Sequence, residues 1–240
     1  MLRGNIVSAC FGGTPRDSDG KHSTSPLWRG VAMAVEAGEV YENPRCGEKV
    51  VVRTPSSQTG GERTVMDVYA TPGGAVSGEH IHPVSAERFT LVRGRVAFLI
   101  GGRQVTLEEP GQSILVQPGI KHRWWNCTGD ESYHICEVIG NAARWEELVL
   151  RQMFGLAQDG RTSPEGMPHL LQLAVTTQEY GDVVRFTTTP LAVQRLVFGV
   201  LAPIGRLLGR KGRYPQYLSR RPDSVVELPP LPPEVAKHHY

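Results

Sequence analysis

No Cys-x-x-Cys pair occurs among the four cysteines, Cys10, Cys46, Cys127 and Cys136, and their spacing matches no disulfide framework. The expectation is reduced thiols in a cytoplasmic protein. Charge of one sign is scarce: 26 Lys and Arg against 24 Asp and Glu leave a net +2. That is too little to argue for nucleic acid, and the basic C-terminal run carries no helix-turn-helix pattern. The N-terminus lacks the apolar core and small-residue cleavage site of a signal peptide. No apolar run is long enough to span a bilayer, because Arg195 and Arg206 interrupt the segment 191–208. No internal repeat occurs. What remains is an ordinary globular composition, long enough to bury a core.

Residues 1–32 are rich in Gly, Ser, Thr, Asp and Pro and show little periodicity. They are expected to be disordered, with Met33 as an alternative start. From 33 to 140 short alternating segments predict strands. These include Lys49–Arg53, Thr64–Ala70, Val96–Ile100, Arg103–Leu107, Ser113–Val116, Lys121–Asn126 and Ser132–Val138. Gly101-Gly102 between two of them predicts a two-residue hairpin. The rhythm of short strands and Gly/Pro turns indicates an all-β barrel or sandwich.

Two stretches in this region carry chemistry. In Gly74-Ala-Val-Ser-Gly-Glu-His80-Ile-His82, the two histidines stand two apart, so a strand aims both imidazoles at one face. A turn at Pro83–Ala86 would bring Glu87 back to the same point. Three such ligands leave an incomplete shell, and His122 in Lys121-His-Arg-Trp-Trp-Asn126 is the natural fourth. Imidazole with carboxylate suits a divalent transition metal, here Fe, Mn, Ni, Co or Zn. With His122 facing inward, Trp124 and Asn126 follow by alternation. Phe89, Leu91 and Phe98 would complete a pocket for an aromatic or aliphatic small molecule. His134 is a candidate base near it, with an outward-facing position as the alternative. Cys127, beside the second stretch, is expected to be a buried, inert thiol.

At these residues the sequence resembles the cupin superfamily. Gly74, His80, His82, Glu87 and Gly94 keep every spacing of its first motif. Gly111, Gly119, His122 and Asn126 keep those of its second, although Gln117 stands where proline is usual and Pro118 follows. The resemblance covers about residues 60–140. It implies a single-domain, type-2-like metal-binding barrel, a double-stranded β-helix or jelly roll. It further implies that His80, His82, Glu87 and His122 are ligands, and that the protein is a homodimer. It leaves the reaction open, because fold does not fix function. Four ligands on a six-coordinate ion leave two neighbouring positions, which suits a dioxygenase binding substrate and dioxygen together. The same ion acting as a Lewis acid would serve an isomerase, cyclase or dehydratase. A metal and small-ligand binder without turnover is the third reading.

After Gly140 the character changes. Asn141 is expected to cap a helix through Ala157, and Ser163 to start a second helix running to Tyr180. A third helix is expected over Leu191–Leu208, bent by Pro203. This helical extension spans 141–221, and 222–240 is a proline-rich tail, expected to be extended and mobile. Helix 191–208 either packs on the protein or lies on a membrane surface. The second reading rests on the basic cluster that follows it and on the absence of any acid between Asp182 and Asp223. It predicts peripheral membrane contact through 191–213.

Overall fold

The computed structural model describes residues 33–240 apart from Ser77, Thr188, Thr189, Arg221, Asp223 and His239. The readings made for residues 1–32 lie outside that range. Among the described residues, ten strands precede the first α-helix: β1 (Glu39–Asn43), β2 (Glu48–Thr54), β3 (Arg63–Ala70), β4 (His80–Ile81) and β5 (Ala86–Arg93). They continue with β6 (Val96–Ile100), β7 (Arg103–Leu107), β8 (Ser113–Val116), β9 (His122–Asn126) and β10 (Ser132–Ile139). Two short late strands, β11 (Arg185–Phe186) and β12 (Ser224–Val225), join the sheet edges.

All pairings of these strands are antiparallel. One sheet runs β12-β1-β2-β3-β10-β5-β8 and the other β11-β4-β9-β6-β7. From β3 to β10 the chain crosses between the sheets at every step except the β6–β7 hairpin, which is the crossing pattern of a jelly roll. Gly101 and Gly102 both take positive φ in the β6–β7 hairpin, where Ile100 faces Arg103. A two-residue turn of this hand needs that conformation at both positions.

The core follows from alternation. Val50 and Val52 of β2, Met66 and Val68 of β3, Phe89 and Leu91 of β5, and Val96 and Phe98 of β6 are buried together. Each such side chain contributes about 1.5–3 kcal/mol on leaving water. Trp145, Leu148, Leu150 and Phe154 from the helical extension belong to the same cluster. The extension is therefore built into the barrel core.

The first helical stretch is continuous: α1 (Ala142–Glu146), a π-helical segment Glu147–Met153, and α2 (Phe154–Gln158). Asn141 does not cap it. Its backbone is left-handed, and its side-chain amide donates to Asp182 Oδ2 at 3.3 Å. The second helix, α3 (Leu170–Tyr180), starts later than the sequence suggests. Gly166 at φ 82° folds 163–167 into a loop closed by Ser163 N to Met167 O at 2.7 Å. Next come α4 (Leu191–Leu207), with Pro203 inside it, α5 (Pro215–Ser219) and α6 (Pro233–Ala236). The proline-rich tail is not free. Ser224–Val225 pairs with β1, and Val235 of α6 is buried with Val65, Tyr133 and Ile135 on the outer face of the larger sheet. Arg53 Nη2 donates to Pro229 O at 3.0 Å, and the Tyr240 hydroxyl meets that of Thr90. Apolar residues on both faces of β3 and β10 require this cover.

Candidate metal centre

Strand pairing brings the four predicted ligands together. His80 of β4 faces His122 of β9 as a direct cross-strand pair in the smaller sheet. His82 follows β4, and Glu87 comes from β5 in the larger sheet. All four are buried, and one ligand atom from each lies within 4.8 Å of all the others. The imidazole centroids are 4.5 Å apart for His80 and His122, 4.9 Å for His80 and His82, and 5.5 Å for His82 and His122.

Backbone carbonyls set the tautomers. Nδ1–H donates to Gly78 O at 3.1 Å in His80, to Val183 O at 2.6 Å in His82, and to Ile120 O at 2.9 Å in His122. A carbonyl only accepts, so Nδ1 carries a proton in each ring and Nε2 is the nitrogen turned inward, where a metal would take it. Outer contacts of this kind orient metal-ligating histidines. His122 Nε2 is 2.9 Å from Glu87 Oε2, and His82 Nε2 is 3.3 Å from Glu87 Oε1. The second pair lacks hydrogen-bond geometry, leaving His82 Nε2 a buried nitrogen without a hydrogen-bond partner. Three imidazole nitrogens and one carboxylate, buried and convergent, fit a divalent transition metal.

The electrostatics agree with ligation. Burial, with His82 and His122 alongside, pushes His80 down to about 3, so its ring is neutral at working pH. Burial opposes charge on His82 too, but Glu87 and the Val183 carbonyl hold it above its ordinary 6.5. Burial alone would raise the Glu87 carboxyl. The imidazoles of His82 and His122 outweigh it and hold that group well below the usual carboxylate range.

His80, His82 and Glu87 of the cluster form one wall of a mainly apolar cavity with an empty volume of about 930 Å³, open solvent at its mouth included. Barrel residues Val50, Met66, Val68, Phe89 and Trp124 line it from below. Trp145, Leu148, Val149, Met153 and Phe154 of the first helical stretch, with Val184 and Phe186 near β11, roof it. The extension also reaches the ligands. β11 adds to β4, with Phe186 opposite His80, and carries the Val183 carbonyl to His82. Trp145 Nε1 donates to Glu87 Oε1 at 3.2 Å.

Of the residues expected in the pocket, Phe89 and Trp124 line the cavity, whereas Leu91, Phe98 and Asn126 do not. Phe98 packs behind Phe89, with ring centroids 5.0 Å apart, and Leu91 is fully buried further along β5. Asn126 points inward but clamps a turn. Its amide donates to Ala70 O, Thr71 O and Asp130 O, and its oxygen accepts from Thr128. Cys127 is exposed, not buried; Cys46 and Cys136 are the thiols on the cavity.

His134 takes the inward of its two positions. It is fully buried, lines the cavity, and packs edge-on to Trp124 at 4.9 Å. Neither ring nitrogen has a hydrogen-bond partner, and burial pushes it down to about 3. Glu48 also lines the cavity, where burial and the nearby Glu87 charge push its carboxyl up to about 8. Sequence reasoning missed Glu48, although Glu48, Val50 and Val52 alternate in phase and so share the inner face. It also missed Trp145 and Val183, whose approach to the ligands no local pattern encodes.

A jelly roll with a buried His/Glu cluster between its sheets is the architecture of a cupin. Residues 67–139 match the family described as "Cupin domain", and this segment is a cupin domain. No curated protein matches the chain. Among solved structures, the chain is similar to the cupin domain of Cnp3 from Schizosaccharomyces pombe, at 8% identity over 42% of this chain and 67% of that chain, with a TM-score of 0.36. It is similar to KdgF from Halomonas sp., at 15% identity over 42% of this chain and 84% of that one, with a TM-score of 0.36. It is also similar to a sugar phosphate isomerase of the cupin superfamily from Silicibacter pomeroyi, at 18% identity over 43% and 69%, with a TM-score of 0.35.

Proposed function

We propose that this chain is a metal-dependent enzyme acting on a small, largely apolar organic molecule that carries an oxygen donor. The carrying observation is that one cavity combines two things: a wall made by His80, His82 and Glu87 of the convergent His80/His82/Glu87/His122 cluster, and the carboxyl of Glu48 apart from it. His80, His82, Glu87 and His122 hold the ion. The bound metal supplies Lewis-acid polarisation of a substrate oxygen. Val50, Met66, Phe89 and Trp124 take up the apolar body of the substrate, and the helical roof limits water.

Glu48 gives or takes the proton. A carboxyl raised toward neutral pH is suited to general acid–base work. His134, neutral and with free ring nitrogens, orients a polar substituent by donating or accepting one hydrogen bond. This favours a redox-neutral reaction: isomerisation, dehydration or cyclisation. The second reading is a dioxygenase. It is supported by the apolar lining, and an ion of six-coordinate preference held by His80, His82, Glu87 and His122 would have room for both substrate and dioxygen.

The test uses metal-loaded protein with a panel of enols, β-diketones and phenols, in air and under argon, with an oxygen electrode. Product formed equally in both atmospheres supports proton transfer. Product tied to oxygen uptake supports the dioxygenase. Ligand-induced stabilisation without product in either atmosphere reduces the protein to a binder.

A further inference from the structure

Helix α4 uses only part of its circumference. Ala202 is buried against Ala174 and Val175 of α3, with Phe198 and Leu201 alongside. Gly205 packs so closely that a Cβ there would lie 2.8 Å from Val175 Cγ2. Gln194 is buried too, its amide donating to Phe186 O at 2.6 Å, and the opposite side of the helix faces solvent. Val193, Leu196, Val197, Val200, Ile204 and Leu207 recur at helical spacing and form one stripe, continued by Leu208. Leu196 is 73% exposed, Val200 60%, Leu207 87% and Leu208 65%. Large apolar side chains exposed contiguously in this way mark an interaction surface.

Charge identifies the partner. Arg195 and Arg206 flank the stripe, and Arg210 and Lys211 follow its end. Arg206 meets only a neutral group, Gln178 Oε1 at 2.7 Å. Arg213 is neutralised by Glu147 at 2.7 Å, and Glu179 lies beside Gly212. No acidic residue occurs between Asp182 and Asp223. A second copy docked stripe to stripe would bring these cations together with no acid on α4 or on the segment that follows it to pair them. Residues 1–32 offer no complement either, with Arg3, Arg16, Lys21 and Arg29 against Asp17 and Asp19. An anionic bilayer supplies both the apolar medium and the counter-charge. No helix among the described residues is long and apolar enough to cross a membrane. We propose that α4 lies flat in the interface of an anionic membrane, its apolar stripe among the acyl chains and its arginines at the headgroups. The helix would lie along about 25 Å of that surface.

Flotation of the full chain with vesicles tests this. The protein rises with phosphatidylcholine vesicles containing phosphatidylserine and stays behind with phosphatidylcholine alone. Leu196→Glu with Leu207→Glu cuts recovery by about tenfold or more. Arg206→Ala and Arg210→Ala each weaken partitioning about fivefold. Metal content of these variants, which change residues remote from the ligand cluster, matches wild type and shows that they fold. Three results overturn the proposal. One is equal recovery of wild type and the leucine variant. Another is a dimer, seen by light scattering, that this variant dissociates while neither floats. The last is flotation only after residues 1–32 are removed, which would assign the stripe to that segment.

Discussion

The indole Nε1–H of Trp145 donates to Glu87 Oε1 across 3.2 Å. Glu87 lies within the segment that matches the cupin domain, and Trp145 lies beyond it in α1. The extension thus holds one oxygen of the carboxylate while His122 faces the other. Replacing Trp145 by Phe keeps most of the apolar volume and deletes the donor. Metal affinity should fall about 10–100-fold with the fold intact, the usual effect of losing an outer-shell partner. Chelator competition measures it. An unchanged affinity would show that Trp145 only packs.

Metal binding should weaken as pH falls, and His82 sets the range. Its proton is held above the ordinary 6.5 by Glu87 and the Val183 carbonyl. Below that folded value the ring is protonated, so the ion must displace a proton to reach Nε2. His80, at about 3, and Glu87, held low, stay deprotonated at working pH and add nothing to the dependence. The His82 proton alone should make the logarithm of affinity drop by about one unit per pH unit below the His82 value. Isothermal titration calorimetry in two buffers of different ionisation enthalpy reads the released proton directly.

The barrel was legible because its signals are local. Alternation marked the strands, Gly101-Gly102 the hairpin, and the His80-x-His82 spacing with Glu87 and His122 the cluster that forms. The cavity was half legible. Period two placed Phe89, Leu91, Phe98, Trp124 and Asn126 on the inner face, and they are there. Depth along each strand then decides between cavity wall and packed core, and alternation carries no information about depth. Val183 reaches His82 across 101 positions of sequence, and Trp145 reaches Glu87 across 58. No periodicity spans such distances. Tail docking was missed because proline content marks extended backbone but not what covers it, although Val235 meets Ile135 through ordinary apolar burial.

Acid should destabilise the fold partly through His134. Burial lowers its folded value to about 3, while the unfolded chain titrates near 6.5. As pH falls below 6.5 the unfolded state takes up a proton that the folded state refuses, so stability is lost. The loss from this one group reaches about 2 kcal/mol by pH 5. His134→Leu removes the titration and suits the contacts with Phe89 and Trp124. Urea denaturation at pH 7 and pH 5 should show a smaller acid loss in this variant, by about that amount. Equal losses would mean that His134 ionises freely in the folded protein.

Glu48 should matter for turnover but not for metal. Glu48→Gln preserves shape and removes the transferable proton. Metal content should stay at the wild-type level while kcat falls about 100- to 10,000-fold, the range for a general acid or base. The limb of the pH–rate profile set by Glu48, expected near its raised value of about 8 and basic if it gives the proton or acidic if it takes one, should disappear. A variant that keeps wild-type kcat would assign the proton to another group.

Elemental analysis of the protein purified without added metal tests the centre itself, with wild type, His80→Ala and His122→Ala measured side by side. The geometry predicts about one divalent transition ion per wild-type chain and little or none in either folded variant. A wild-type chain that contains no such ion, and takes up neither iron, manganese, nickel, cobalt nor zinc when offered them, would contradict it.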